Sequence, residues 1–195
     1  MGWVELGPAD AGEIYAVVGA IEAADDSPLR TSLEEIKRFF DPSLAWRAIG
    51  VRASDSSLLA VGMARIVRSG GEVRLFGGVH PDARGEGIGK LLAAEQVKSA
   101  RAIGGSSAIV HVDGANAGLA ELLAREGFEL SHEYVQLRKS VASFPRFDVP
   151  THMKIVPLTE DLDEDVLRFY NAVQTKSGGE PSARGDWQAE HAAID

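Results

Sequence analysis

A chain of 195 residues, 45% of them hydrophobic, has room for one domain of ordinary size plus a remainder, and enough apolar side chains to give that domain a core. A formal charge of −9 without any Lys/Arg cluster excludes the basic face that nucleic-acid phosphates require. The lack of cysteine excludes disulfides, thiolate metal sites and a cysteine nucleophile; no apolar run reaches membrane-spanning length and no leader pattern opens the chain, so the expectation is a cytoplasmic protein that does not engage a membrane.

In chain order, Val4-Glu5-Leu6 reads as a short strand. Asp10 to Glu13 has the spacing of a capping box ahead of Ile14, Val17, Val18 and Ile21, which predicts a helix. Asp25-Asp26-Ser27-Pro28 breaks it, and Ser32 to Glu35 gives a second box before Leu33, Ile36, Phe39 and Phe40. Three strand-like segments follow, Ala45 to Ala53, Leu58 to Val67 and Glu72 to Val79, separated by Ser-rich and Gly-Gly turns that suit antiparallel hairpins.

The run from Val79 to Leu92 passes from a strand through Pro81 and three glycines in five residues into an amphipathic helix bearing Leu91, Leu92, Ala94 and Val97. Glycines at such a turn permit positive φ and close approach of a ligand. The first helical N–H groups are unpaired and lie at the positive end of the helix dipole, an arrangement that binds phosphate oxygens. The alternative is a plain strand-to-helix connection. Neither the Walker frame nor the dinucleotide fingerprint fits, because Lys90 follows Gly-x-Gly and Arg84 stands where an earlier glycine would be needed.

Beyond this helix, Gly104-Gly105 is a stop signal, and Ala108 to Val112 reads as a buried strand parallel to Glu72–Val79 in a βαβ unit. Asn116 caps a helix carrying Leu119, Leu122 and Leu123; Gly127 ends it in a left-handed cap, and a last strand runs from Glu133 to Arg138. The order strand, helix, helix, three strands, helix, strand, helix, strand defines an α+β fold with helices covering a mixed sheet.

Arg84, Gly87 and Gly89, with the flanks Val79-His80-Pro81, Ile88 and Leu91-Leu92, resemble motif A of the GNAT acetyltransferase superfamily, and the element order is similar throughout. The resemblance implies a mostly antiparallel sheet flanked by helices, with a splayed parallel strand pair. It also implies acetyl-CoA as co-substrate, its pyrophosphate on the amides of Gly85, Glu86, Gly87, Ile88, Gly89 and Lys90 beside Arg84, and its pantetheine arm paired with Gly78 and Val79. Asn116 stands where the family often has a cofactor-holding Asn, a role compatible with capping. The Val79 N–H would be the oxyanion donor, and a small-molecule amine the acceptor.

The catalytic side chains are not assigned. The family's acid, a Tyr four residues before the Gly-Phe pair, falls on Leu123, leaving Tyr134 as the nearest Tyr, and the histone-type Glu falls on Val73, with Glu72 on the opposite strand face unless a bulge intervenes. His111 could reach the thioester or be a hydrogen-bonded strand histidine; His80 reads as part of the turn, and His132 and Glu133 as exposed polar residues. No residue group has metal-ligand spacing. Two function classes stand: an N-acetyltransferase for a small amine, and a non-catalytic, acetyl-CoA-binding or structural half of a tandem GNAT protein.

The domains are read as 1–140, GNAT-like; 141–152, a linker with two prolines; and 153–195, whose Lys154-Ile155-Val156, Asp161 to Glu164 and Val166, Phe169, Tyr170, Val173 repeat the opening strand and helix. The stretch from Val110-His111-Val112-Asp113 through Gly127-Phe128 to Leu137-Arg138-Lys139 resembles tandem proteins of the mycothiol synthase kind. Taken with the GNAT resemblance, the repeat implies a tandem GNAT protein with an incomplete second copy. Its apolar helix face must dock on the first domain or pair with a second chain as a homodimer, the expected outcome.

Overall fold

In the computed structural model, which describes residues 2–28, 30–67, 71–135, 137, 140, 148, 150–157, 159–176, 181–185 and 187, the chain divides into two units, Met1–Glu129 and Leu130–Asp195. The first is built on β1 (Trp3–Leu6), β2 (Trp46–Arg52), β3 (Leu58–Ile66), β4 (Glu72–Val79) and β5 (Ser107–Val110), adjacent in that order. Strands β1 to β4 pair antiparallel, and β4 with β5 parallel, from Glu72 opposite Ser107 to Leu75 opposite Val110. This mixed α+β sheet flanked by helices is the GNAT-like architecture expected from the chain order.

Helices α1 (Ala11–Ala24), α2 (Leu33–Phe39), α3 (Ile88–Ala102) and α4 (Ala117–Arg125) complete the unit. Alternation along β3 divides the core. Val61 and Met63 join Ile14, Val17 and Val18 of α1 and Ile36 of α2 in one apolar cluster. Ala60 packs with Ile88, and Ala64 with Ala100, both from α3. Small residues on that side of β3 let α3 lie close: a Cβ at Gly62 would stand 2.7 Å from a Leu92 methyl and 2.8 Å from the Gln96 chain.

The helix starts were set by different groups. At α2 the capping box forms as the sequence predicts, with Ser32 N–H donating to Glu35 Oε2 (2.7 Å) and Glu35 N–H to Ser32 Oγ (3.2 Å). These bonds hold the Glu35 carboxyl below its ordinary pKa, the Ser32 backbone donor contributing most. The box expected from Asp10 to Glu13 does not form. Asp10 instead accepts the Gly7 N–H at 2.8 Å and, with Glu13, takes Arg52 of β2 at 3.2 and 2.7 Å. A cation from the neighbouring strand offers these carboxylates charge-assisted bonds, which exceed a neutral cap in strength.

At the other ends, α3 runs out into Gly104 (φ +87°), and α4 closes on Gly127 (φ +85°) with Phe128 N–H returned to Leu123 O at 3.0 Å, the left-handed cap that the sequence predicts. Asn116 caps α4 by accepting the Leu119 N–H at 3.1 Å.

The second unit holds α5 (Glu160–Lys176). Tyr170 lies 5.1 Å from the buried Trp187 ring, whose indole N–H donates to Asp163 at 2.7 Å, while Asn171 and Ser182 exchange two bonds of 3.0 and 2.7 Å. The inward stripe is thus Asp163, Val166 and Tyr170, and Phe169 and Val173 stay exposed. Two expected strands do not form among the described residues. Lys154–Val156 has no strand pairing, and neither do Glu133–Val135 and Leu137 of the expected last strand, whose Gln136 and Arg138 lie outside the described residues. Alternating apolar residues favour a strand only when an edge is there to receive them. Most of the expected 141–152 linker also lies outside the described residues.

Candidate functional site

The candidate site lies where β4 outruns β5. Pairing between the two ends at Leu75 and Val110, so β4 continues for four residues with its β5 side open. In this stretch His80 N–H donates to Leu59 O at 2.8 Å, which makes Leu59 and His80 a hydrogen-bonded antiparallel pair. The neighbouring pair, Ala60 and Val79, is then non-hydrogen-bonded, and the N–H and C=O of Val79 point away from β3 into the gap. The Val79 N–H is thus turned toward an extended ligand there, while its C=O already accepts from Arg84 Nε at 3.3 Å.

Gly77 shapes this end of the strand. Its φ is +117°, and a Cβ on it would lie 2.1 Å from Val61 O. On the α3 side, Gln96 donates to Phe76 O at 2.8 Å and, more weakly, to Met63 O at 3.5 Å. The β3 and β4 register is nevertheless unbroken from Val73 to Val79, so no bulge rescues Glu72: Val73 is fully buried in the α3-side core, and Glu72 starts the strand at its opposite end from Val79.

Past Val79, His80 Nδ1 accepts the Asp82 N–H at 3.3 Å and opens the short 3-10 turn Pro81–Ala83, so His80 belongs to the turn as expected. The chain then crosses Arg84, Gly85, Glu86 and Gly87, all exposed. Gly85 and Gly87 have φ of +83° and +81°, and a Cβ on either would meet nothing within 4 Å. Helix α3 begins directly at Ile88, and its first intrahelical partner reaches Leu91 N–H, on Gly87 O at 3.4 Å. The N–H groups of Ile88, Gly89 and Lys90 precede any helical acceptor, which makes this open turn a cradle for an anion.

Arg84 and Asn116 converge on one carboxylate. Arg84 donates from Nε to Val79 O (3.3 Å) and from Nη1 and Nη2 to the two oxygens of Asp25 (2.6 and 3.2 Å). Asn116 Nδ2 reaches the same carboxylate at 3.4 Å. The structure therefore places Val79, Arg84 and Asn116 near one another, with Arg84 and Asn116 joined through Asp25, which the sequence marks only as a helix breaker. Gly78 faces α1: a Cβ added to it would stand 3.1 Å from an Ile21 methyl. A Cβ added to Gly89 would stand 3.3 Å from a Leu122 methyl.

The candidate acid and base positions are apolar. Leu123 is buried on α4 and Val73 fully buried on β4. His111 is exposed, one residue beyond β5, rather than interior. Tyr134, His132 and Glu133 belong to the second unit and are exposed. Among the described residues, no group of three His, Asp or Glu is placed to hold a metal ion, and no helix is long and apolar enough to cross a membrane.

No family model and no curated protein matches the chain. Solved structures do. A ribosomal-protein-alanine N-acetyltransferase from Brucella melitensis aligns over 71% of this chain and 99% of its own, with a TM-score of 0.52 and 17% identity. The protein yncA of Salmonella typhimurium, described as a candidate acetyltransferase and solved with its cofactor acetyl-CoA, aligns over 66% and 79%, with a TM-score of 0.55 and 17% identity. An aminoglycoside acetyltransferase from an uncultured soil sample, in complex with trehalose, aligns over 70% and 96%, with a TM-score of 0.54 and 11% identity. At such identities the likeness is one of fold, and the fold is that of the GNAT N-acetyltransferases.

Proposed function

We propose that the first unit binds acetyl-CoA and transfers its acetyl group to the amine of a small molecule. The observation that carries this reading is the coincidence, at the open end of β4, of a Val79 N–H turned away from β3 and an exposed glycine turn feeding a helix N-terminus. Such a turn suits a diphosphate, and a strand edge suits an amide-bearing pantetheine arm lying in the gap. The co-substrate supplies an activated acetyl thioester. The chain supplies the turn amides of Gly85 to Lys90, the Arg84 cation beside them, and the Val79 N–H as donor to a developing oxyanion.

A second reading, that this unit binds acetyl-CoA without catalysing transfer, is favoured by the buried aliphatic groups at both positions where an acid or a base was sought, Leu123 and Val73. In that case the chemistry belongs to another domain of a tandem arrangement. Calorimetric titration with acetyl-CoA followed by an acetyl-transfer assay over a panel of small amines separates the readings. Binding with transfer supports the first, binding without transfer the second, and no binding refutes both.

A further inference from the structure

Arg84 opens the glycine turn, and its guanidinium is already engaged. Arg84 presents both Nη atoms to Asp25 in the bidentate fork that a phosphate would itself seek, and Asn116 adds a third bond to the same carboxylate. Asp25 is mounted firmly. It terminates α1, with its N–H on Ile21 O at 3.0 Å, and the segment after it is tied back by Glu22, which accepts from Thr31 N–H and Oγ at 2.9 and 2.6 Å. The pair is only partly covered, Arg84 being 40% and Asp25 25% exposed, so an incoming anion has access to it.

We propose that Asp25 is an internal anion that competes with the diphosphate of CoA for Arg84, and so sets the affinity of the turn. The inference rests on reading the glycine turn as the diphosphate site. A carboxylate at this place has two effects of one sign: it occupies two N–H donors of the guanidinium, and it cancels the charge that would attract the ligand. Binding then requires the Asp25–Arg84 pair to open, which also frees Asn116 from α1. Removing the charge while keeping the shape should strengthen binding.

The test is calorimetric titration of CoA into the full chain and into Asp25→Asn, with Asp25→Ser as a second variant should the first fold poorly, and with thermal melting as the check on folding. Because the pair is partly exposed, the expected gain is about threefold to tenfold in Kd. The gain should vanish when Asp25→Asn is combined with Arg84→Gln, since the competition acts through that cation. If the parent binds CoA and neither Asp25 variant binds more tightly, Asp25 positions Arg84 instead of competing for it and the inference is overturned while the site stands. If neither parent nor variants bind CoA, the reading of the turn fails and takes the inference with it.

Discussion

Gly87 offers the sharpest test of the turn, because strain and charge can be separated there. At φ +81° with open space around its missing Cβ, any replacement costs backbone strain without a steric clash. That strain is roughly 1–2 kcal/mol for an ordinary residue, and less for Asn and Asp, which tolerate the left-handed region best. Gly87→Asn and Gly87→Asp should therefore lose the same small amount of stability and differ only in charge. A carboxylate placed about 4 Å from a diphosphate charge costs about 1 kcal/mol at the dielectric of water and about 4 kcal/mol at that of a protein surface. An intermediate value of about 2 kcal/mol suits so exposed a turn, and weakens binding roughly 30-fold. Calorimetry with CoA should show the Asn variant within a few-fold of the parent and the Asp variant at least tenfold weaker than the Asn variant. Equal affinities in the two variants, with the parent binding, would refute the placement of the diphosphate on these amides.

Gly77→Ala should destabilise the first unit by about 2–4 kcal/mol in urea denaturation, from positive-φ strain plus the overlap with Val61 O, whereas a loss under about 1 kcal/mol would mean that this backbone relaxes freely. Glu35 has its pKa lowered by the capping bonds, so its contribution is complete above the ordinary glutamate value of about 4.3 and is lost as pH falls through the lower folded value. Glu35→Gln should lower the melting temperature at neutral pH and flatten its decline below about pH 4; an unchanged profile would count against the capping box as the cause. In the second unit, Trp187→Ala removes a buried ring that contacts Tyr170 and Asp163, a change worth roughly 3–5 kcal/mol in a packed core. Amide exchange along α5 should then accelerate at least about tenfold, and unchanged protection would show that the helix is held by other contacts.

What the sequence discloses about this protein is mostly what acts over one or two turns of chain. The glycine turn, the Ser32 box, the Asn116 cap and the Gly127 cap are each written within a few residues, and each is found. Asp10 and Glu13 have box spacing too, but Arg52 stands 42 positions from Asp10 in sequence and within 3.2 Å of it in space, and no local pattern announces it. Asp25 is the same case at the site itself. Read locally it ends a helix, and its partner Arg84 is 59 positions away. The strand expected at Glu133 to Arg138 differs in the opposite direction: the alternation is local and present, yet its described residues have no strand pairing, because pairing needs an edge that is a tertiary fact.

Helix α3 shows how local and distant signals combine. Its N-terminus carries the glycine turn, and two turns further on Gln96 donates to the Phe76 carbonyl beside Gly77. The same helix therefore fixes the anion cradle and holds the backbone three residues before Val79. Because an α-helix is rigid over this length, about 1.5 Å per residue, the spacing between the turn amides and the Val79 N–H is set by the packing of α3 on β3 and β4. That packing depends on Gly62, where any side chain would strike Leu92 and Gln96. Gly62 touches neither the turn nor the gap, yet enlarging it would shift α3 and disturb both, which gives a residue of the sheet interior a direct part in the geometry of the site.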